Sequence, residues 1–409
     1  MRIAIVGAGL TGLSCARVLK DHAEVVLFEG GQVGGLASSY CTSRYCIERF
    51  YHHCFRWDRD LIELAEKLNV KIVWRLARTG YAFGGKIYPL NTPIEILRFP
   101  YLTIKDKIRL AIFTLKSRRR NYDREDRSVV EGIREELGEN LLRNFFMPLL
   151  KAKFGDTYEN VSYAWLIARV AIRSNRKLRG EELGYVRGGF HVLIEKMKRG
   201  LEIVERRVEK IEPKNGGFLV DGEFFDTVIY TAPLPTLDPK IRVMAGLPEV
   251  KYQSSVCALL GAERSVTEDI YWTNVADSKI FGAIVEHTNF MPFEDYGEHV
   301  IYLASYSTPN GWLFKLDDSK LKELYLRELE RFGLRRRYVN WIEIFKAKYS
   351  GPIYEVGYRT VDYRTRLRGF YVAGMVSPPN YPERSMNGSI RAGKEVARIV
   401  LNSSEDRAP

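Results

Sequence analysis

The segment IERFYHHCFRWD, residues 47–58, sets His52, His53 and Cys54 side by side in a chain with six histidines and five cysteines. Three chemistries fit those residue types. Imidazole and thiolate bind metals, an imidazole near neutral pH moves protons, and either side chain can simply pack in a core. As a metal site, Cys41, Cys46, His52, His53 and Cys54 read C-x4-C-x5-H-H-C. That pattern lacks the C-x2-C pairs usual for zinc or iron–sulfur centres. Adjacent residues on an extended strand also face opposite ways, so His52 and His53 are poorly placed to share an ion. No metal site is expected.

A second group of residues has the spacing of a phosphate cradle. In RIAIVGAGLTGLSCARVLKDHAEVVLFEGG, residues 2–31, Gly7, Gly9 and Gly12 follow an apolar strand and open an amphipathic helix. Gly7 permits the tight turn, Gly9 lets a pyrophosphate approach the backbone, and Gly12 lets helix and strand pack closely. The amides at Leu10 and Thr11 point along the helix axis toward that phosphate. A second strand ends in Glu29, whose carboxylate is placed to accept from an adenosine ribose. Further on come Gly34, Gly35, Leu36 and Ala37, and near the C-terminus a strand, Phe370–Ala373, ends at Gly374.

In these pieces the chain resembles the superfamily of FAD-dependent amine oxidases, phytoene desaturases and protoporphyrinogen oxidases, with UDP-galactopyranose mutase as a relative. The resemblance rests on Gly7–Gly12, Glu29, GGLAS, YVRGGFHVLIEKM (185–197), VEKIE (208–212), DTVIYTAP (226–233) and YVAG…NGSIRAGKEVA. It implies an α/β fold: a Rossmann-type FAD-binding domain with a parallel sheet, plus an inserted α+β substrate domain. It also implies cofactor contacts at Gly7, Gly9, Leu10, Thr11, Gly12, Glu29, Gly34, Gly35, Leu36, Ala37, Val208, Gly374, Met375, Met386 and Asn387. The chain departs from the family at Met375, where an acidic residue is usual. Members that hold FAD covalently use a cysteine near the C-terminus, and none lies beyond Cys257 here, so the FAD is expected to be noncovalent.

The resemblance places the 47–58 segment beside the isoalloxazine ring, with one imidazole toward flavin and substrate and the other toward the core. His53 is read as the cavity side, His52 as the alternative, and His287 of VEHTNF as a candidate on the opposite wall. Lys153 reads as a surface lysine.

Positioning these groups falls to three discontinuous segments, 1–75, 186–240 and 350–405, as the flavin domain. Two insertions, 76–185 and 241–349, form the substrate or cap domain. The first insertion reads helical: residues 104–115 carry Ile104, Ile108, Ala111, Ile112 and Leu115 at helical spacing, and Ser128 with Glu131 forms a capping box. SYAWLIARVAIR is another short helix. The second insertion reads β, from SSVCALLGAE, FGAIVEHTNF and HVIYLASYS. NGG and DG in residues 208–233 predict a small hairpin. The aromatic runs IYWTN, IYLASYS and VGYRTVDYRTR read as core first and pocket lining second.

The 409 residues are 45% hydrophobic and carry 63 Lys and Arg against 51 Asp and Glu. That surplus points to an anionic partner: cofactor phosphates, an acidic substrate or acidic lipid. No motif suggests nucleic acid. A strand begins at Met1 and no run is long enough to span a bilayer, so a cytoplasmic protein is expected. Residues 93–120, apolar on one side and ending in KSRRR, fit either a helix on an anionic membrane surface or a cap helix buried on its apolar face; the buried reading is preferred. Only two glutamines among many Lys, Arg and Glu hint at a thermophile.

The function expected is an FAD-dependent oxidase, dehydrogenase or desaturase that moves a hydride equivalent from an apolar, amine or polyprenoid-type substrate to flavin N5. The alternative is a flavin-dependent mutase of a nucleotide sugar, with Arg169, Arg173 and Arg359 clamping phosphates.

Overall fold

The computed structural model describes residues 1–117, 119–121, 125–172 and 180–405. The basic cluster at 173–179, Arg173 included, and Arg118 lie outside the described residues.

Short β-branched runs build a five-stranded parallel sheet in the order Phe370–Val372, Thr227–Tyr230, Arg2–Val6, Glu24–Phe28, Glu202–Val204. Alternation along Arg2–Val6 sends Ile3 and Ile5 to one core and Ala4 and Val6 to another. The first core is closed by the helix Leu10–Leu19 and by the last helix, Met386–Glu405. These two helices cross closely because Gly393 has no side chain; a Cβ there would lie 2.3 Å from the Thr11 carbonyl oxygen.

The second core is covered by a three-stranded meander, Ile211–Lys214, Gly217–Val220 and Glu223–Phe225. The sequence predicts one hairpin here and the structure holds two. Asn215–Gly216 and Asp221–Gly222 both adopt positive φ (48°, 81°, 48° and 91°), so each turn signal closes its own pair of strands.

The inserted segments supply a seven-stranded mixed sheet. Its order is Val339–Pro352, Tyr252–Ala262, His299–Ser307, Ala283–Glu286, Trp272–Val275, Thr79–Phe83, Lys86–Pro89. Only the Trp272–Val275 and Thr79–Phe83 pair runs parallel. The helical insertion includes Pro93–Arg98, Ile104–Ser117, Val129–Glu136, Met147–Phe154 and Tyr163–Ile172. The capping box predicted at Ser128 is present in both directions, Glu131 N–H to Ser128 and Ser128 N–H to Glu131.

One expectation is reversed. The apolar stripe of Ile104–Ser117 does not face the core: Ile104, Ile108, Ile112 and Leu115 are 68, 55, 47 and 64% exposed. The inward face is instead Asp106, Phe113 and Ser117. Asp106 is drawn in by hydrogen bonds from the Thr103 amide (3.1 Å), the Thr103 hydroxyl (2.6 Å) and the Asn140 amide (2.5 Å), which remove the usual penalty of burying a carboxylate.

Two ribbons carry the remaining site residues. Ser39–Cys41 pairs with Cys46–Glu48, and the Cys41–Cys46 disulfide crosslinks its end. Ile72–Ala77 pairs with Glu181–Val186. Between them, Cys54 and Gly184 exchange two backbone hydrogen bonds of 2.8 Å, which fixes the histidine segment in place.

Candidate functional site

At the carboxyl end of the Arg2–Val6 strand, Gly7 turns with φ +105°. Its carbonyl oxygen accepts from the Thr231 hydroxyl at 2.8 Å. A Cβ on Gly12 would sit 1.9 Å from that same oxygen, so only glycine lets helix and loop pack this closely. Gly9 differs: a Cβ there would meet nothing within 4 Å. Gly9 is the N-cap of the Leu10–Leu19 helix and supplies no side-chain cap, so the first amides, at Leu10 and Thr11, have no side-chain acceptor at the cap.

The second glycine pair completes this floor. Gly34 donates its amide to the Ala8 carbonyl at 2.8 Å and bridges Gly9. Gly34 and Gly35 take φ +100° and +58°, and Gly35–Ala37 is a single 3-10 turn that buries Ala37 and half-buries Leu36. Glu29 accepts from Ala8 N–H and Gly31 N–H, both at 2.8 Å. Each carboxylate oxygen retains a second lone pair for a ribose.

The C-terminal candidates divide. Gly374 (φ +146°) donates to the Ser377 hydroxyl at 3.1 Å, and its carbonyl takes the Asn380 amide at 3.0 Å. Met375, Met386 and Val208 are half-buried apolar side chains packed on the two cores. The Asn387 side-chain oxygen accepts from Leu61 N–H at 3.1 Å, so it caps the neighbouring helix, Arg59–Lys67.

The two histidines have different surroundings. His53 Nδ1 meets the Tyr271 hydroxyl at 3.1 Å, and its ring lies edge-on to Phe55, Tyr271 and Trp272. His52 Nδ1 lies 2.5 Å from the Phe50 carbonyl, which can only accept, so Nδ1 carries the hydrogen and Nε2 keeps its lone pair. Burial pushes the His52 pKa down to about 4, helped by the nearby positive charge of Arg384. The His52 ring packs against Phe190 (6.2 Å between centres), while His53 stands among the aromatic side chains beside the mixed sheet.

His287 does not stand on a cavity wall. It is 2% exposed, its Nε2 pairs with the Tyr296 hydroxyl at 2.7 Å, and burial takes its pKa down to about 3. The apolar alternation of Ala283–Glu286 carries it into the core, against Tyr185.

Three features are not evident in the sequence. Arg49 follows the crosslinked ribbon, donates its amide to the Ser38 carbonyl, and has a buried Nε with no hydrogen-bond partner among the described residues. Burial lowers its pKa. Glu48, next to it, is 1% exposed and accepts from the Tyr185 hydroxyl (2.7 Å) and Phe190 N–H (2.5 Å); burial pushes it up to about 7.

The third feature is a charged cluster around Tyr51. Its hydroxyl pairs with that of Tyr306, and its ring packs on Trp272 at 4.8 Å. Lys153, which from sequence reads as a surface lysine, is half-buried, with its ammonium 4.8 Å from the Tyr306 ring centre and 5.4 Å from that of Trp165. Arg169 pairs with Glu383 at 2.8 Å. Burial alone would raise Glu383, but Arg169, Lys153 and Arg384 outweigh it and hold the carboxyl below its usual value. Arg359, by contrast, lines a surface groove with Ala245–Val250, and Arg169 is not among the residues that line it.

A glycine floor at the end of a parallel sheet, joined to a mixed-sheet insertion with an aromatic wall, gives an α/β fold of Rossmann type with an inserted second sheet. The model of the family described as flavin containing amine oxidoreductase matches residues 10–401, and the chain belongs to that family. Coproporphyrinogen III oxidase from Staphylococcus aureus is 27% identical over 241 residues, which is 51% of this chain and 51% of that protein. The chain thus spans about half the length of the curated relative it matches. Among solved structures, a protein assigned as a protoporphyrinogen oxidase from Exiguobacterium sp. has a TM-score of 0.75 at 20% identity, covering 98% of this chain and 99% of that one. Reduced UDP-galactopyranose mutase has a TM-score of 0.73 at 16% identity, covering 98% and 95%. At these identities the structural likeness concerns the fold.

Proposed function

We propose that the protein holds FAD noncovalently and takes a hydride equivalent from an apolar substrate that carries an acidic end. The observation that supports the substrate class is the sign of charge beside the aromatic wall: Lys153, Arg169 and Arg384 stand against the carboxylate of Glu383. A surplus of positive charge at a half-buried wall repels an ammonium and attracts a carboxylate. Free amines are therefore the weaker of the expected substrates. Coproporphyrinogen, in the name of the Staphylococcus relative, is a largely apolar macrocycle with carboxylate arms and fits this description.

The fit to the cofactor rests on the open face of Gly9, the uncapped helix behind it and the unpaired Arg49 Nε. When bound, FAD would supply the redox chemistry by accepting a hydride equivalent, two electrons with one proton, from the substrate. The chain's own groups do the rest. The amides at Leu10 and Thr11 bind the diphosphate, and Arg49 offers positive charge to an anionic part of the cofactor. The Nε2 lone pair of His52, neutral at physiological pH, accepts a proton. Tyr51, Trp272 and Tyr302 pack edge to face and exclude water. The mutase alternative is weakened because Arg169 is engaged by Glu383 and does not line the groove that Arg359 lines.

Anaerobic titration tests the reading. Carboxylate-bearing apolar substrates should bleach the flavin, and Lys153→Glu should raise KM for them at least about tenfold with kcat kept, the loss of one favourable charge contact. Tight UDP binding by the reduced protein, with no bleaching by any such substrate, would overturn it.

A further inference from the structure

We infer that the helices Pro93–Arg98 and Ile104–Ser117 dock onto an anionic lipid bilayer, lying in the plane of its interface. Ile94 and Leu97, on the adjoining helix, are 61 and 59% exposed, as are Ile104, Ile108, Ile112 and Leu115 at 68, 55, 47 and 64%. At about 100° per residue, the stripe of Ile104–Leu115 lies directly opposite the buried Asp106, Phe113 and Ser117. Lys105 and Lys116 flank it on one side and Lys107 on the other. Lys107 donates to the Leu97 carbonyl at 2.7 Å and so ties the two helices into one surface.

A contiguous apolar patch of this kind on a soluble domain marks an interaction site. Among the described residues no helix is long and apolar enough to cross a membrane, so the helices lie on the bilayer surface. Charge selects the partner. The only acidic residues of residues 93–117 are Glu95 and Asp106. Glu95 is used by Arg78 and by the Asn91 and Thr92 amides, and Asp106 is buried. Arg98, Lys105 and Lys116 form no ion pair with a carboxylate among the described residues. A second copy laid on this face would bring lysine against lysine with no free carboxylate from residues 93–117 between them. Anionic headgroups beside an apolar layer complement both the stripe and its rims. The surface is independent of the reaction proposed above.

The test is co-sedimentation of the flavin-loaded protein with phosphatidylcholine vesicles, with and without phosphatidylserine. Binding should require phosphatidylserine and weaken with salt. Each basic residue removed should weaken partitioning about fivefold, so Lys105→Gln with Lys116→Gln should lose about 25-fold. Ile108→Ser with Leu115→Ser should lose at least about tenfold. Unchanged flavin absorbance and melting temperature would show that these variants fold. Failure of the wild type to bind either vesicle, or equal binding by the variants, would overturn the inference. So would a concentration-dependent dimer that the same substitutions abolish, because it would identify a second copy as the occupant.

Discussion

Replacing Gly9 by alanine should separate flavin binding from folding. The backbone at Gly9 has φ −73° and ψ −177°, which any residue adopts, and a Cβ meets nothing within 4 Å. The stability of the apoprotein should therefore change by less than about 0.5 kcal/mol. The added methyl projects into the space before the helix N-terminus, where a diphosphate must come within hydrogen-bond distance of the amides. Losing one charge-assisted hydrogen bond costs about 1.5–3 kcal/mol, which raises the flavin Kd about 10- to 100-fold. Gly12→Ala is the contrast. Its Cβ would lie 1.9 Å from the Gly7 carbonyl oxygen, so the helix must move off the strand. Overpacking of that kind costs about 1–3 kcal/mol or more, and flavin is lost as a consequence. The assay is fluorescence titration of apoprotein with flavin, beside the melting temperature of each apoprotein. The reasoning fails if Gly9→Ala binds flavin as the wild type does, or melts as early as Gly12→Ala.

Further expectations concern the buried titrating groups. The folded pKa of Glu48, about 7, lies above its ordinary 4.5, so the native state holds the extra proton between those values and stability falls as pH rises through them. The full shift is worth about 3 kcal/mol, and Glu48→Gln should remove that slope; parallel urea-stability profiles for wild type and variant would refute it. His52 has a folded pKa of about 4, below its ordinary 6.5, so the stability of its neutral ring is lost as pH falls through that window. The His52-dependent part of kcat/KM should be flat above about pH 5; a midpoint near 6.5 that vanishes in His52→Gln would contradict this. His287→Phe removes the 2.7 Å hydrogen bond to the Tyr296 hydroxyl and should cost about 1–3 kcal/mol of stability with kcat unchanged. A large loss of kcat at an unchanged melting temperature would return His287 to the active site.

Elements set by local pattern were legible in advance. The strand–glycine–helix–strand order at the N-terminus, the capping box at Ser128 and the turn residues at Asn215 and Asp221 each carry their geometry in neighbouring side chains. The family resemblance added the inserted substrate domain. Arg49, Glu48 and the Lys153–Arg169–Glu383 cluster were not legible. Each draws its character from residues more than a hundred positions away in the chain, such as Tyr185 for Glu48 and Glu383 for Arg169.

The sequence by itself determined that a parallel sheet would end in a glycine-lined loop, because φ freedom and the absence of a Cβ are properties of single residues. Only the tertiary structure decided which way amphipathic surfaces turn. The stripe of Ile104–Leu115 has the same periodicity whether it faces a core or a membrane, and periodicity carries no direction. It turned outward because Asp106, already held by its neighbour Thr103, found Asn140 inside, and that second pairing exists only once the helices have packed. His52, His53 and His287 were told apart the same way: the environment supplied by distant strands and loops, not the imidazole itself, set which ring is neutral, which is stacked and which is sealed in the core.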